Sequence, residues 1–406
     1  MKDTPDGVTE ELDRLLASGV DRSARLGQDH RDLWEALSLA AGGGKRFRPG
    51  LAVATHDALG GTSAESVARV GAALELLHTA FVVHDDVIDG DDVRRGRPNV
   101  SGTFAAAARA EGADQPTARH YGEAAGILAG DLALVSAVRL VARCQAPAAL
   151  VDELLDLIED TVHATATGEL ADVRLGLHLT GLPVTLDEAL RVAEQKTAVY
   201  SFQLPLQAGA ILAGAPADVT AALARLGRLV GIGFQLLDDL LGVFGNESRT
   251  GKSALTDLRE GKHTALLAHA RTTSAWPDLQ GLVGDPNLDH HDAGRARDLL
   301  EGCGARVSVE ELADRHLEEA LAAAAREPIP AALTRVLTDL VGDIRDTAVL
   351  ALHDPRTVRR VDASTPSPAA APPDAAAEPV ETAEPVETTE SAEPAQFADA
   401  SRAGAR

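Results

Sequence analysis

The residues best suited to chemistry lie in one short run. From Leu74 to Pro98 the chain reads LELLHTAFVVHDDVIDGDDVRRGRP, setting His78, Phe81, Asp85, Asp86 and Asp89 on an apolar helical stretch and following them with Arg94 and Arg95. Asp85 and Asp89 are four residues apart and share one helix face. A second acidic helix, GFQLLDDLLGVFG from Gly233 to Gly245, carries Gln235, Asp238 and Asp239. Carboxylates crowded in apolar surroundings either meet cations or are driven to protonate. His84 points about a hundred degrees away from Asp85, and no cysteine is near, so the donors are oxygens. That favours a hard cation, Mg²⁺ before Ca²⁺ or Zn²⁺. Mg²⁺ fills the rest of its shell with water and phosphate oxygens. Lys45, Arg48, Arg94, Arg95, Lys196, Lys252 and Lys262 come from separate segments and suit the other half of a diphosphate clamp. They exceed what one diphosphate needs, which points to two phosphorylated ligands. Asp91 and Asp92 read as a solvated face.

The elements that must position these groups are helices. Val8 to Leu26 reads as a first amphipathic helix and Leu33 to Ala41 as part of a second. Gly42, Gly43 and Gly44 then stop the chain, and Pro49 suits the first turn of the next helix, so Lys45, Arg46 and Arg48 sit beside a helix N-terminus that favours an anion. Ser66 to Asp89 forms the acidic helix, and a Gly/Ala-rich loop or lid runs from Arg97 through Gln115. Helices are expected at Ala118–Arg143 and Pro147–Leu175, and Thr185 caps another that runs to about Gly214 and carries Lys196 and Thr197. Pro216 begins a helix to about Phe244, a glycine-punctuated loop holds Lys252, Asp257 and Lys262, and helices from Thr264 to about His353 read as packing. GNESRTGKS, Gly245 to Ser253, is no nucleotide P-loop: its spacing is one residue too long and it follows a helix, not a strand.

Composition agrees. Of 406 residues, 45% are hydrophobic but only 3% aromatic, so the apolar content is mainly Ala, Leu and Val, and no alternating strand run appears. The expected fold is all-α, with enough chain for one large domain or two ordinary ones. Nine acids and two arginines from Val361 to Arg406 supply −7 of the net charge of −24, leaving −17 for the body. Such acidity excludes nucleic acid as a partner. Cys144 and Cys303 form no CxxC, which points to a reducing, cytoplasmic setting. The acidic N-terminus has no apolar core and is not a signal peptide. Ala124–Ala142, interrupted by Asp131 and Arg139, reads as a buried core helix and not a membrane span. From Asp354 the chain is rich in Pro, Ala and Glu, and residues 354–406 are expected to be a disordered tail.

GGGKRFRP, HDDVIDGDDVRRG, the Lys196-Thr197 pair, FQLLDD and the GK, D and GK of the following loop, in this order, resemble the trans-type polyprenyl diphosphate synthases. These enzymes condense isopentenyl diphosphate onto an allylic diphosphate. The resemblance implies a single large all-α bundle over residues 1–353 around a deep central cavity, and a homodimer. It implies that Lys45, Arg48, His78 and Arg95 hold isopentenyl diphosphate. Asp85 and Asp89 would bind two Mg²⁺ ions and Asp238 a third. Arg94, Lys196, Lys252 and Lys262 would complete the allylic diphosphate site, with Thr197 and Gln235 beside the allylic cation. There are two departures: Gly242 stands where the family's second motif ends in Asp, and Gly168-Glu169-Leu170-Ala171-Asp172 carries Glu where the family has Gln.

Residues four and five before Asp85, Phe81 and Ala80, lie about one helical turn, roughly 5.4 Å, below the metal site. One ring and one alanine at that level favour geranylgeranyl diphosphate (C20), with farnesyl diphosphate second. Two rivals share some of these features. A class I terpene cyclase also has an acidic helix, but it would lack the second diphosphate site and carry a different second metal motif. A non-catalytic partner subunit of a heteromeric synthase would be expected to lose an acidic cluster or the basic clamp, and both are present.

Overall fold

The computed structural model describes residues 6–43, 46–177, 179, 183–245, 256–326 and 329–352. The expected domain boundary after residue 353, the tail, Lys45 and Lys252 lie outside them. The chain opens with α1 (Asp6–Asp21), α2 (Ser23–Leu26), α3 (Gln28–Ala41) and α4 (Phe47–Ala58), followed by the acidic helix α5 (Ala64–Asp89). Two short antiparallel strands, β1 (Val93–Arg94) and β2 (Arg97–Pro98), pair Val93 with Pro98 and Arg94 with Arg97. Next come α6 (Val100–Ala110), α7 (Gln115–Ala142), α8 (Ala148–Gly176) and α9 (Leu186–Ala193), then a π-helical segment, Glu194–Gln203, that leads into α10 (Leu204–Leu212) and α11 (Ala217–Phe244). The C-terminal helices are α12 (Thr256–Glu260), α13 (Ala265–Ala270), α14 (Trp276–Leu279), α15 (His290–Gly302), α16 (Ala305–Ala324) and α17 (Ala331–Leu352).

The core explains why α5 and α11 can carry the acidic segments. Val67, Val70, Leu74, Leu76, Leu77 and Ala80 of α5 are buried in a core shared with α1, α3, α7, α8 and α10. The N-terminal half of α11 packs Leu223, Leu226 and Val230 against α4, α10, α16 and α17. Its C-terminal half packs Ile232, Leu236 and Leu240 against α13, α15 and α16. Both helices are therefore fixed along their length, and their acidic residues project from the last turns.

Four expectations need correction. The first helix is not continuous to Leu26: the chain turns after Asp21, and Gly27 has a φ of 92° that favours glycine. The stretch expected as a loop or lid is a hairpin followed by a helix, because Asn99 caps α6 by accepting from the Gly102 amide. The helix opened by Thr185, through a complete capping box with Glu188, does not stay α-helical but widens to a π-helix at Glu194. By length and composition, α5, α7 and α11 are each apolar enough to cross a membrane. In α5 and α11, 78% and 61% of that window is buried in the bundle, but in α7 only 44% is, so α7 is not the fully buried core helix expected. Tyr121, Leu128 and Val135, seven residues apart, are exposed along one face of it.

Candidate functional site

The π-helical segment delivers Lys196 to the acidic end of α5. Gly168 of α8 makes this possible, since a β-carbon there would overlap the Lys196 backbone nitrogen and Gln195. At this close crossing three carboxylates surround the Lys196 ammonium: Asp172 Oδ2 at 2.8 Å, Glu169 at 3.0 Å and Asp85 Oδ1 at 3.2 Å. Burial works against the lysine's charge, but Asp85, Asp172 and Glu169 outweigh it and hold the amine protonated. In return, Lys196, Lys262 and Arg94 overcome the effect of burial on Asp85 and keep its carboxyl below the usual range.

Arg94, at the end of β1, ties the hairpin to α5. It donates from Nε to Asp86 Oδ1 at 2.6 Å and lies 3.4 Å from Asp85 Oδ2. Asp86 is 3% exposed and faces the protein. Burial raises its pKa, opposed by Arg94. Asp89 is pushed up to about 7 by burial and by Asp85, against the pull of Lys262 and Lys196. Lys262 lies 3.9 Å from Asp89 Oδ2, 3.8 Å from Asp257 and 2.9 Å from Glu260. His84 turns away to α7, 3.3 Å from the Ile127 carbonyl, as its helical phase predicts.

On α11, Gln235 donates to Asp239 at 2.7 Å. Asp239 is pushed well above the usual carboxylate range by desolvation and by Asp238, Asp257 and Asp172. Asp238 is exposed one turn beyond Gln235 on the same helix, and Thr197 is half-buried beside Lys196.

A second cationic group lies near the N-terminal side of this cluster. Arg48 is 8% exposed, reaches Ser201 Oγ at 2.9 Å and the Tyr200 hydroxyl at 3.3 Å, and stacks over the Phe47 and Tyr200 rings. Tyr200 in turn stacks on His78, with ring centres 5.9 Å apart, and meets Phe81 edge-on at 5.1 Å. Ala80, next to Phe81, is packed in the core. Arg95 adopts a φ of 54° at the hairpin turn, and its Nη1 lies 3.7 Å from where a β-carbon of Gly43 would be. The hairpin is thus brought close to Gly43. His78 is held well below its usual pKa by burial and by Arg48, Arg94 and Arg95, so the ring is neutral.

Asp85, Asp89, Arg94, Lys196 and Lys262 therefore form one electrostatic network, with ion pairs from Arg94 and Lys196 to Asp85 and from Lys262 to Asp89, and Arg48, His78 and Phe81, joined through Tyr200, form a second group. Reasoning from the sequence missed the roles of Glu169, Asp172, Tyr200, Ser201 and Glu75. Glu169 and Asp172 were visible as a spaced acidic pair. Tyr200 and Ser201 meet Arg48 across more than 150 residues, which no local pattern reveals. Glu75 lies 6% exposed, and its Oε2 accepts no hydrogen bond. Burial raises its pKa, while Arg48, Arg46 and Arg95 pull it down.

Among the described residues, no three His, Cys, Asp or Glu side chains are grouped closely enough to hold a metal ion unaided. The arrangement fits a cation that draws most of its shell from elsewhere, which is the habit of Mg²⁺ with phosphates. Asp85 Oδ1 is shielded from solvent yet accepts no hydrogen bond, since Lys196 approaches it without alignment. Asp89, with its raised pKa, is less well compensated than Asp85. A diphosphate carrying Mg²⁺ would satisfy both carboxylates and offer Lys196 and Lys262 new oxygen partners.

The Polyprenyl synthetase family matches residues 32–293. A geranylgeranyl diphosphate synthase of Methanosarcina mazei is 32% identical over 319 residues, 79% of this chain and 88% of that protein. A (2E,6E)-farnesyl diphosphate synthase of Mycobacterium bovis is 32% identical over 311 residues, 75% of this chain and 79% of its own. Among solved structures, a geranylgeranyl pyrophosphate synthase from Corynebacterium glutamicum, complexed with isoprenyl diphosphate and magnesium, superposes with a TM-score of 0.76 at 32% identity. It covers 85% of this chain and 97% of its own.

The neutral His78 has a pH consequence. Below about pH 6.5 the unfolded chain protonates this histidine, while the folded protein does not. The unfolded state then binds more protons, so this group removes stability as pH falls below that value. Thermal unfolding of His78→Gln is expected to show a smaller loss of Tm between pH 7 and pH 5 than the parent. An identical slope would contradict the assignment.

Proposed function

The chain belongs to the polyprenyl synthetase family and is a prenyltransferase that condenses isopentenyl diphosphate with allylic diphosphates into a short polyprenyl diphosphate; from that premise we propose that its product is geranylgeranyl diphosphate and that the two cationic networks are its two diphosphate sites. The observation that carries the reading is the Asp85–Lys196–Asp89–Lys262 network, in which carboxylates and ammonium groups wait on one another. Asp85 and Asp89 would hold two Mg²⁺ ions and Asp238 a third. When bound, the metal neutralises charge on the departing pyrophosphate. Arg94, Lys196, Lys252 and Lys262 hold that pyrophosphate, and their charge favours the separated ion over the ester. Lys45, Arg48, His78 and Arg95 hold isopentenyl diphosphate so that its double bond faces the allylic carbon. Thr197 and Gln235 lie beside the developing cation, and an apolar cavity of the kind the family resemblance implies would keep water from it. The proton lost after the carbon–carbon bond forms goes to the released pyrophosphate.

Phe81 supports the C20 product. The ring is fixed edge-on against Tyr200, which is itself stacked on His78, so the obstruction below Asp85 cannot swing aside freely. The exposed apolar residues of α7, Tyr121, Leu128 and Val135, support a homodimer, since apolar side chains gathered along one exposed face suit an interaction surface. Cys144 and Cys303 are unpaired, in keeping with a cytoplasmic setting.

Mass analysis of products from isopentenyl diphosphate and Mg²⁺, with dimethylallyl, geranyl or farnesyl diphosphate as starter, tests the proposal. A dominant C20 diphosphate is expected. A C15 or C25 product would discard the floor, and no elongation from any starter would favour a non-catalytic subunit. Phe81→Ala is expected to shift the distribution beyond C20; an unchanged distribution would remove Phe81 as the floor. Leu128→Glu combined with Val135→Glu is expected to convert a dimer to a monomer in sedimentation. A dimer that persists would place the interface elsewhere.

A further inference from the structure

A cleft of about 430 Å³ opens where the start of α9 meets α13 and α16, and none of its lining residues belongs to either cationic network. Its walls are chiefly apolar, with Val184 and Leu186 from the start of α9 and Val309 and Leu312 from α16. Arg271, which follows α13, also lines it, and among the described residues no carboxylate does. In a chain of net charge −24 that absence stands out. Other partly buried arginines meet acids: Arg94 meets Asp85 and Asp86, and Arg306 meets Glu301 and Glu310. Arg271 meets none among the described residues. Its Nε is shielded from solvent and makes no hydrogen bond, and its guanidinium lies over the Trp276 ring, 4.3 Å from the centre. Burial pushes its pKa below the usual arginine value, yet a guanidinium stays charged at neutral pH. A partly desolvated charge without a counter-ion is costly. A mostly apolar cleft with one fixed cationic group has the form of a small-molecule site.

We propose that this cleft is an effector site for an anion with an apolar body, an alkyl or prenyl chain that carries one phosphate or carboxylate. The head group meets Arg271, and the chain lies along Val184, Leu186, Val309 and Leu312. Occupation reaches the functional site through two covalent connections. Thr185, a lining residue, caps α9, and α9 runs directly into the π-helical segment that bears Lys196. On the other side α13 begins at Ala265, just after Lys262. A ligand that ties the start of α9 to α13 and α16 biases how Lys196 and Lys262 stand toward Asp85 and Asp89. The effector role rests on the prenyl-transfer reading; binding in the cleft does not.

The probes are decyl phosphate and decanoate below their micellar concentrations, with inorganic phosphate and decyltrimethylammonium as controls for head group alone and for opposite charge. Binding to the full chain is read by calorimetry and by Trp276 fluorescence in a Trp34→Phe background, since the chain has two tryptophans. At least one decyl anion is expected to bind and neither control to do so; which anion binds separates a phosphate from a carboxylate ligand. Arg271→Gln is expected to weaken binding by about 10–100-fold. Ser308→Phe, which fills the cleft and keeps the cation, is expected to abolish it. At saturation the bound anion is expected to change the KM for the allylic diphosphate by about fivefold or more in the parent. In Arg271→Gln the KM should stay at the parent's value with or without the probe. No binding by either anion, or equal binding in the parent and both variants, would overturn the site. A KM effect that persists in Arg271→Gln would place the probe in a diphosphate group and overturn it too, and binding at saturation with no KM change would overturn the effector role. A parent that formed no prenyl product yet bound a decyl anion through Arg271 would fail the prenyl-transfer reading while sustaining the cleft as an anion site.

Discussion

The structure depends on holding Lys196 among Asp85, Glu169 and Asp172. Helix α5 ends in three aspartates with no basic residue in its last turn, and α11 carries Asp238 and Asp239 toward its own C-terminus. The carbonyl ends of helices favour cations, so carboxylates there are doubly unfavourable once desolvated. The molecule answers with cations from other segments: Lys196 from the π-helical segment, Arg94 from the hairpin and Lys262 from beyond α12. The compensation is incomplete. Asp89 is left with a pKa of about 7 by burial and by Asp85, and Asp239 is pushed well above the usual carboxylate range by desolvation and its acidic neighbours. Sites with perturbed carboxylates and matching cations are where ligand charge is most readily taken up.

Rigid backbone crossings set this charge pattern. The π-helical segment passes α8 at Gly168 and α11 at Gly227 and Gly231, and at each of these glycines a side chain would overlap the segment. π-helical turns are uncommon and recur at functional sites. Here the same ten residues present Lys196 to one network and Tyr200 and Ser201 to the other. One short segment therefore relates the spacing of the two cationic groups. The two ligands of a condensation must meet at one bond, so their anchors need a fixed separation.

Much of this was legible in the sequence, for identifiable reasons. The acidic helices are long and apolar, so their period is clear, and the spacing of Asp85 and Asp89 fixes a shared face without tertiary information. Arg94 and Lys196 could be paired with carboxylates by charge alone. Other features had weaker signals. Asn99 at the N-cap of α6 was a usable mark, obscured by the surrounding Gly and Ala. Strands of two residues are too short to show alternation. The widening at Glu194 leaves no local trace, and the glycines that give the segment room lie on neighbouring helices. The pairing of Arg48 with Ser201 spans the chain.

The central claim is that the carboxylate and ammonium groups of this network are poised to part around a metal-bearing diphosphate. It is tested most directly by thermal unfolding of the full chain with Mg²⁺ alone, with inorganic pyrophosphate alone and with both. Ligands that bind the folded state raise Tm, and coupled ligands raise it together by more than the sum of their separate effects. The account predicts small separate shifts and a joint shift that clearly exceeds their sum. A merely additive joint shift, or none, would contradict it.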